Sequence, residues 1–425
     1  MNYSRPGWSE LGRRVYDILS GAVFGAALPW LAVKYRDGFS ERMGRYTGGG
    51  TEGMHPLWVH AVSVGEVQAA WPLVREARRS GWKSPVFMTT ITRTGRKMAE
   101  NLVGIDADQM AYYPWDAPWI ARRAIDRVLP AAFVTVETEI WPNFVMELAR
   151  REIPAFIANG RFSERSFRKA IRFKEFWREV MSTFRLILVR GEEDASRLLD
   201  LGLEPERVVV DGDCKVDALL LRREDTDRDA LRAAIGSAGA RLLIAGSTHT
   251  GEDIAVLEAF REVRARFSGV KMVIAPRHPE RSPEVASMAS SFGSVSMFSK
   301  PREGWDILVV DEVGQLFGLY GISDSAFVGG SLVPRGGQNI LEPAAWGVPV
   351  RHGPHMEDFR HHSETLISLG AAAVARSASE LAKLWEQDLS GSTGKGISGK
   401  GYVEGLGGAA ALSWERISSI LKAGE

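Results

Sequence analysis

From Trp58 onward the chain alternates short apolar runs with helical patterns, and it does so in two separate series. The first series holds the strand candidates WVHAVSV (58–64), PVFMTTIT (85–92), AAFVTVET (131–138), AFIANG (155–160), LILVRG (186–191) and VVVDGD (208–213). Helical patterns such as 66–80 and 166–184 lie between them. A charged stretch, 222–240, interrupts the strands before a second series: RLLIAGS (241–247), KMVIAPR (271–277), DILVVD (306–311), SAFVGGS (325–331), VPVRHG (348–353) and AAAVAR (371–376). Strands without period-two alternation, each followed by a helix, are the pattern of βαβ units with parallel sheets covered on both faces. The expected fold is α/β, with two Rossmann-like doubly wound domains.

At 425 residues the chain exceeds what one core ordinarily serves. The expected division is 1–50 as a membrane-associating segment, 51–220 as an N-terminal domain, 221–400 as a C-terminal domain, and 401–425 as a helix crossing back to the first. A Gly/Ser-rich stretch at 389–402 precedes that helix. In open α/β sheets ligands bind at the carboxyl ends of the strands. Two such domains facing one another line a single cleft.

The charge balance excludes one function class. Lys+Arg and Asp+Glu both number 53, so no global field marks a nucleic-acid binder. The single Cys214 excludes an intramolecular disulfide and any cysteine metal cluster. No H-E-x-x-H, Walker loop or dinucleotide fingerprint stands where one is needed, so no metal and no cofactor are expected. Ile18–Val33 is an uncharged stretch of 16 residues between Arg13, Arg14 and Asp17 on one side and Lys34 and Arg36 on the other. A spanning helix needs about 20 apolar residues, and Pro29 kinks this one. Basic flanks with Trp30 and Tyr35 fit a segment lying in an anionic membrane surface, with a buried core helix as the alternative.

Six strand ends carry chemistry-bearing residues. Ser63, Gly65 and Glu66 follow the first strand, with Glu66 opening a helix. Glu137 and Glu139 end another as alternate residues on one face, beside Trp141, where like carboxylates raise one another's pKa. Arg161, Glu164 and Arg165 follow the next. In the second series Gly246, Ser247, Thr248 and His249 lead into a helix near Glu252, the setting of an anion site. Pro276, Arg277 and His278 end a strand where a bidentate donor can meet a phosphate. The stretch GGSLVPRGGQNILEP then spends four glycines in two pairs before Gln338, Asn339 and Glu342, which suggests a close approach to the backbone. Each junction alone also fits ordinary turn chemistry or a bracing salt bridge. The three of the second series together favour a nucleotide.

The segments WVHAVSVGE, ETEIWPN, NGRFSERS, DCKVD, AGSTHTGE, APRHPER and AFVGGSLVPRGGQNILEPAAWGVPV, in that order, resemble the 3-deoxy-D-manno-octulosonic acid (Kdo) transferases of lipopolysaccharide synthesis. The resemblance runs from about Lys34, taking in KYRDGFSERMGRY, to about Phe359. It implies a GT-B architecture and transfer of Kdo from CMP-Kdo to the lipid A precursor, at the cytoplasmic face of the inner membrane. It implies Glu66 as general base, and Glu139 or Glu137 with Lys215 as transition-state stabilisers. Pro276 and Arg277, Val313, Gly314 and Gln315, and Gly337 with Asn339, Ile340, Leu341 and Glu342 match its CMP-binding segments. Ser247, Thr248, His249 and His278 belong with them, and Arg161 or Lys215 answers the Kdo carboxylate. The chain departs from the pattern at Gln338 (usually His), Gln315 (usually Glu) and Asp213 (usually Asn). The competing expectations are another GT-B glycosyltransferase, a non-hydrolysing sugar-nucleotide epimerase, and a catalytically silent binding protein.

Overall fold

The computed structural model describes residues 10–46, 54–391 and 396–423. The segments 1–9, 47–53, 392–395 and 424–425, including part of the glycine-rich stretch, lie outside the described residues. The chain forms two compact units, one of residues up to Ala218 together with Gly407 onward, the other Leu219–Leu406.

The first unit is built on a seven-stranded parallel sheet of β1 (Leu57–His60), β2 (Val86–Thr90), β3 (Gln109–Tyr112), β4 (Ala132–Val136), β5 (Ala155–Gly160), β6 (Leu186–Val189) and β7 (Val208–Val210), in the order β3-β2-β1-β4-β5-β6-β7. The second has β8 (Arg241–Thr248), β9 (Val270–Pro276), β10 (Val295–Met297), β11 (Ile307–Val309), β12 (Ser325–Val328), β13 (Val350–His352) and β14 (Ala372–Val374), in the order β10-β11-β9-β8-β12-β13-β14. All the strand pairs are parallel.

Alternate residues of a strand face opposite sides of its sheet, and both sides are packed. In β8, Leu243 and Ala245 belong to one hydrophobic cluster and Leu242 and Ile244 to another. In the first unit Trp58 is fully buried, with its ring edge-to-face against Phe87, Phe133 and Phe144 at 5.0–6.0 Å. The strand order reverses beside β1 and β4 in one sheet and beside β8 and β12 in the other. Such switch points open a crevice at the carboxyl edge.

Two strands, β3 and β10, have no counterpart in the sequence reading. Both are short edge strands of mixed polarity. The single helix expected over 401–425 proves to be the end of one helix, Ile397–Gly405, and a second, Ala409–Ala423, parted at Gly408, whose φ is +101°. The last helix packs within the first unit on Val64–Arg79, with Trp414 5.5 Å from Trp82.

Candidate active site

In the first unit the chemistry collects at the β1/β4 switch point. Ser63 is the N-cap of the helix Val64–Arg79, which makes Glu66 its third residue rather than its first. The Glu66 carboxylate turns back over the helix start, accepting the Val62 N–H at 2.8 Å and the Ser63 hydroxyl at 2.9 Å. Glu66 is 8% exposed. Burial lifts its pKa to about 7, against the pull of those two hydrogen bonds, and Glu139 and Glu137 add to the rise.

Glu137 and Glu139 do not share a strand face as expected, because β4 ends at Val136. Glu137 takes a left-handed conformation (φ +61°), and its carboxylate pairs with Lys215, Nζ to Oε1 2.5 Å. Glu139 makes no side-chain hydrogen bond among the described residues. Its pKa is raised, first by burial and then by Glu137. Gly65 lies against Lys215: a Cβ there would stand 3.6 Å from Nζ.

Lys215 is placed by two residues whose roles the sequence did not disclose. Asn159, buried at the end of β5, accepts the Cys214 N–H at 2.9 Å. Arg190 takes the Asp213 carboxylate at 3.1 Å, while the other Asp213 oxygen accepts the Lys215 N–H. Asp213 thus serves the backbone and Arg190. Arg161 is exposed beyond β5, its carbonyl held by the Thr138 hydroxyl at 2.9 Å, and Glu164 pairs with Arg168 on the following helix.

The second unit resolves the question of the four glycines. A Cβ on Gly329 would lie 2.4 Å from the Ser247 carbonyl oxygen, and one on Gly337 2.4 Å from Met356 Sδ. The two pairs also zip together, Gly337 N–H to the Gly330 carbonyl at 2.9 Å and Gln338 N–H to that of Gly329 at 3.1 Å. What approaches these glycines is the protein's own chain.

The organiser is Glu252, which is fully buried. Its carboxylate accepts N–H groups from His249, Gly330, Ser331 and Leu332 at 2.7–2.9 Å. It fastens the end of β8 to the loop after β12. In the junction expected to hold an anion, the His249 amide is spent on this carboxylate. Thr248 is likewise buried and donates to Asp253. Ser247, with φ +55°, shapes the turn. Ile340 and Leu341 are buried, so their side chains serve the core.

The remaining groups form a cationic and polar rim. His249 and His278 stand ring to ring at 6.0 Å, and Gln338 Nε2 lies 3.5 Å from His249 Nε2. Burial lowers the His249 pKa, with Arg335, His278 and Arg277 acting the same way and Glu252 opposing. Arg335 escaped the sequence reading because a loop arginine carries no periodic signal. Pro276 ends β9, and the Arg277 N–H bonds the Thr248 carbonyl. Glu342 lies in the first turn of Leu341–Ala345 and is raised in pKa by burial, with Arg222, Asn339 and Arg277 pulling it back. Arg222, over the Phe317 ring at 4.4 Å, came from the stretch read only as charged. Val313 is exposed, Gly314 has φ +95°, and Gln315 precedes the short helix Leu316–Tyr320. Among the described residues no group of three or more His, Cys, Asp or Glu is arranged to hold a metal ion.

Two doubly wound parallel sheets with polar clusters at their switch points define a GT-B enzyme. That fold is shared with a UDP-GlcNAc 2-epimerase from Neisseria meningitidis (13% identity, 86% of this chain and 100% of that one, TM-score 0.59). It is shared also with a glycosyltransferase from Rickettsia africae (15% identity, 87% and 98% covered, TM-score 0.54). Residues 37–218 match the family model of 3-deoxy-D-manno-octulosonic-acid transferase (kdotransferase). The chain is 33% identical to the 3-deoxy-D-manno-octulosonic acid transferase of Haemophilus influenzae over 92% of both chains. It is 32% identical to that of Bordetella pertussis, over 76% of this chain and 77% of the relative. The chain belongs to the 3-deoxy-D-manno-octulosonic acid transferase family.

Proposed function

We propose that this chain transfers Kdo from CMP-Kdo to a hydroxyl of the lipid A precursor, with inversion, at the cytoplasmic face of the inner membrane. The observation that carries the reading is the Glu66 carboxylate, pinned at a helix start with its pKa near 7 beside Glu139 and the Lys215–Glu137 pair. A sugar hydroxyl is a weak nucleophile at neutral pH. Glu66 accepts its proton as the oxygen attacks the anomeric carbon of Kdo, the C–O bond to CMP breaks, and CMP departs with that electron pair. A base poised near the working pH is worth about 10²–10⁴ in rate. Lys215 answers the Kdo carboxylate and the charge that develops in transfer. The departing phosphate monoester meets the cationic rim of Arg277, Arg335 and the two histidines. Glu342 and Asn339 accept from and donate to the nucleoside.

The acceptor is a lipid, and the helix Glu10–Lys34 supports delivery at a bilayer. One side packs on the first unit, with Phe24 5.6 Å from Trp115 and 5.8 Å from Trp119. The other leaves Ile18, Leu19, Val23, Trp30 and Val33 each 59–70% exposed. Water does not favour such a stripe, and an interface does. The deciding experiment incubates the purified protein with CMP-Kdo and lipid A precursor and weighs the lipid product. A mass gain of whole Kdo residues is expected, and an unchanged lipid with intact CMP-Kdo overturns the proposal.

A further inference from the structure

The first unit contains a cavity of about 380 Å³ that no step above uses. This is within the range of small-ligand sites, roughly 300–1,000 Å³. Its apolar walls include Phe162, Phe167, Ala170, Trp177, Leu198 and Leu201, and its polar lining is Thr138, Glu139, Ser166, Lys169 and Arg197. The helix Glu164–Ala170 lies along it without burying a single side chain. A helix in a packed domain ordinarily buries an apolar stripe, yet here Phe167 and Ala170 border empty space.

We infer that this cavity takes an acyl chain of the acceptor lipid, holding the sugar hydroxyl in register with Glu139 and Glu66; the inference rests on the Kdo-transfer reading. Three observations select that occupant. The cavity is continuous with the carboxylate Glu139, so an amphiphile can place its sugar at the site and its tail between the aromatic walls. The same helical turns carry Arg165, Lys169 and Arg172, which have no ion-pair partner among the described residues and suit the phosphate of an anionic lipid head. Beyond the cavity Phe173 is 67% exposed, and Trp177 connects through Phe176 to Tyr16 of the apolar N-terminal helix, at 5.3 Å for each ring pair. Apolar side chains therefore run from the cavity to the proposed membrane face.

The test compares Kdo transfer by the full chain to the lipid A precursor and to the same precursor stripped of its acyl chains, in parent protein and in Ala170→Trp. The parent should favour the acylated acceptor in kcat/KM by about ten-fold or more, since a few buried methylenes suffice for that factor. In Ala170→Trp, which fills the cavity, that ratio should fall toward one. An acceptor carrying a diazirine on an acyl chain should label residues between 162 and 201 of the parent protein, an outcome independent of how the variant folds. Equal kcat/KM for the two acceptors in the parent, an unchanged ratio in Ala170→Trp, or labelling no stronger than by a diazirine phospholipid would each overturn the inference. Product from neither acceptor would instead strike the Kdo-transfer reading, and this inference with it.

Discussion

Lys215 Nζ lies 2.5 Å from Glu137 Oε1, joining the start of the helix Cys214–Glu224 to the residue just after β4. The pair leaves Glu139, two residues on, as the carboxylate with no partner among the described residues. A fixed cation beside an unpaired carboxylate suits a transition state in which charge moves between acceptor and donor.

That pairing gives the first prediction. Lys215→Gln should lower kcat by about 100-fold, and Glu137→Gln should cost less. A double-mutant cycle on stability should return a coupling of roughly 1.5–3 kcal/mol, as for a hydrogen bond to a charged group. Additive effects of the two substitutions would mean that the pair is not formed in solution.

Glu66 gives the second. Glu66→Gln keeps the shape and removes the basicity, so turnover should fall at least about 100-fold with CMP binding nearly unchanged. In the parent, kcat/KM should drop as pH falls below about 7, because the base is then protonated. The stability sign is opposite. A carboxyl raised from 4.5 to about 7 favours the folded state when protonated, and that contribution disappears as pH rises through this window. Glu66→Gln should therefore raise Tm relative to the parent more at pH 8 than at pH 4. Thermal melts at the two pH values check it.

The third concerns the nucleotide. Glu342→Ala should weaken CMP binding by about 1–3 kcal/mol in a calorimetric titration, because the nucleoside loses a hydrogen bond to a charged acceptor. Arg335→Ala should weaken CMP but not cytidine. Equal loss for both ligands would move Arg335 away from the phosphate.

The fourth concerns metal. EDTA should leave Kdo transfer intact, since the residues assigned to the phosphate are cations and histidines rather than a carboxylate cage. Loss of turnover on chelation, with recovery on adding a divalent ion, would require a different account of the leaving group.

The fifth concerns the membrane. Val23 and Trp30 are 70% and 59% exposed, so Val23→Asp with Trp30→Asp should leave the fold and CMP binding intact. The same pair of changes should release the protein from anionic vesicles. Basic residues near such a surface are worth about 1 kcal/mol each and are screened by salt. Co-sedimentation of parent and variant at low and high salt decides it, and equal sedimentation would show that the helix only packs.

The sequence by itself determined the two series of βαβ units, because strands buried on both faces must be continuously apolar and the helices between them amphipathic. It also marked the strand ends where Glu66, Glu137, Arg277 and Glu342 stand, since a loop at a sheet edge has no packing reason to carry such groups. It could not show β3 and β10, because QMAY and VSM are short and broken by polar residues, unlike the equally short but wholly apolar edge strands β7 and β14. The tertiary structure alone decided what each end residue touches. Glu252 looked like a helix start and proved to be the buried clasp of two loops. The glycines looked like a ligand's clearance and proved to be clearance for Ser247 and Met356. Arg222 and Arg335 gained their places from chain segments far apart in number, and the pKa of Glu66 from burial beside Glu139. Partnership and desolvation are properties of neighbours in space, and local sequence pattern carries no record of them.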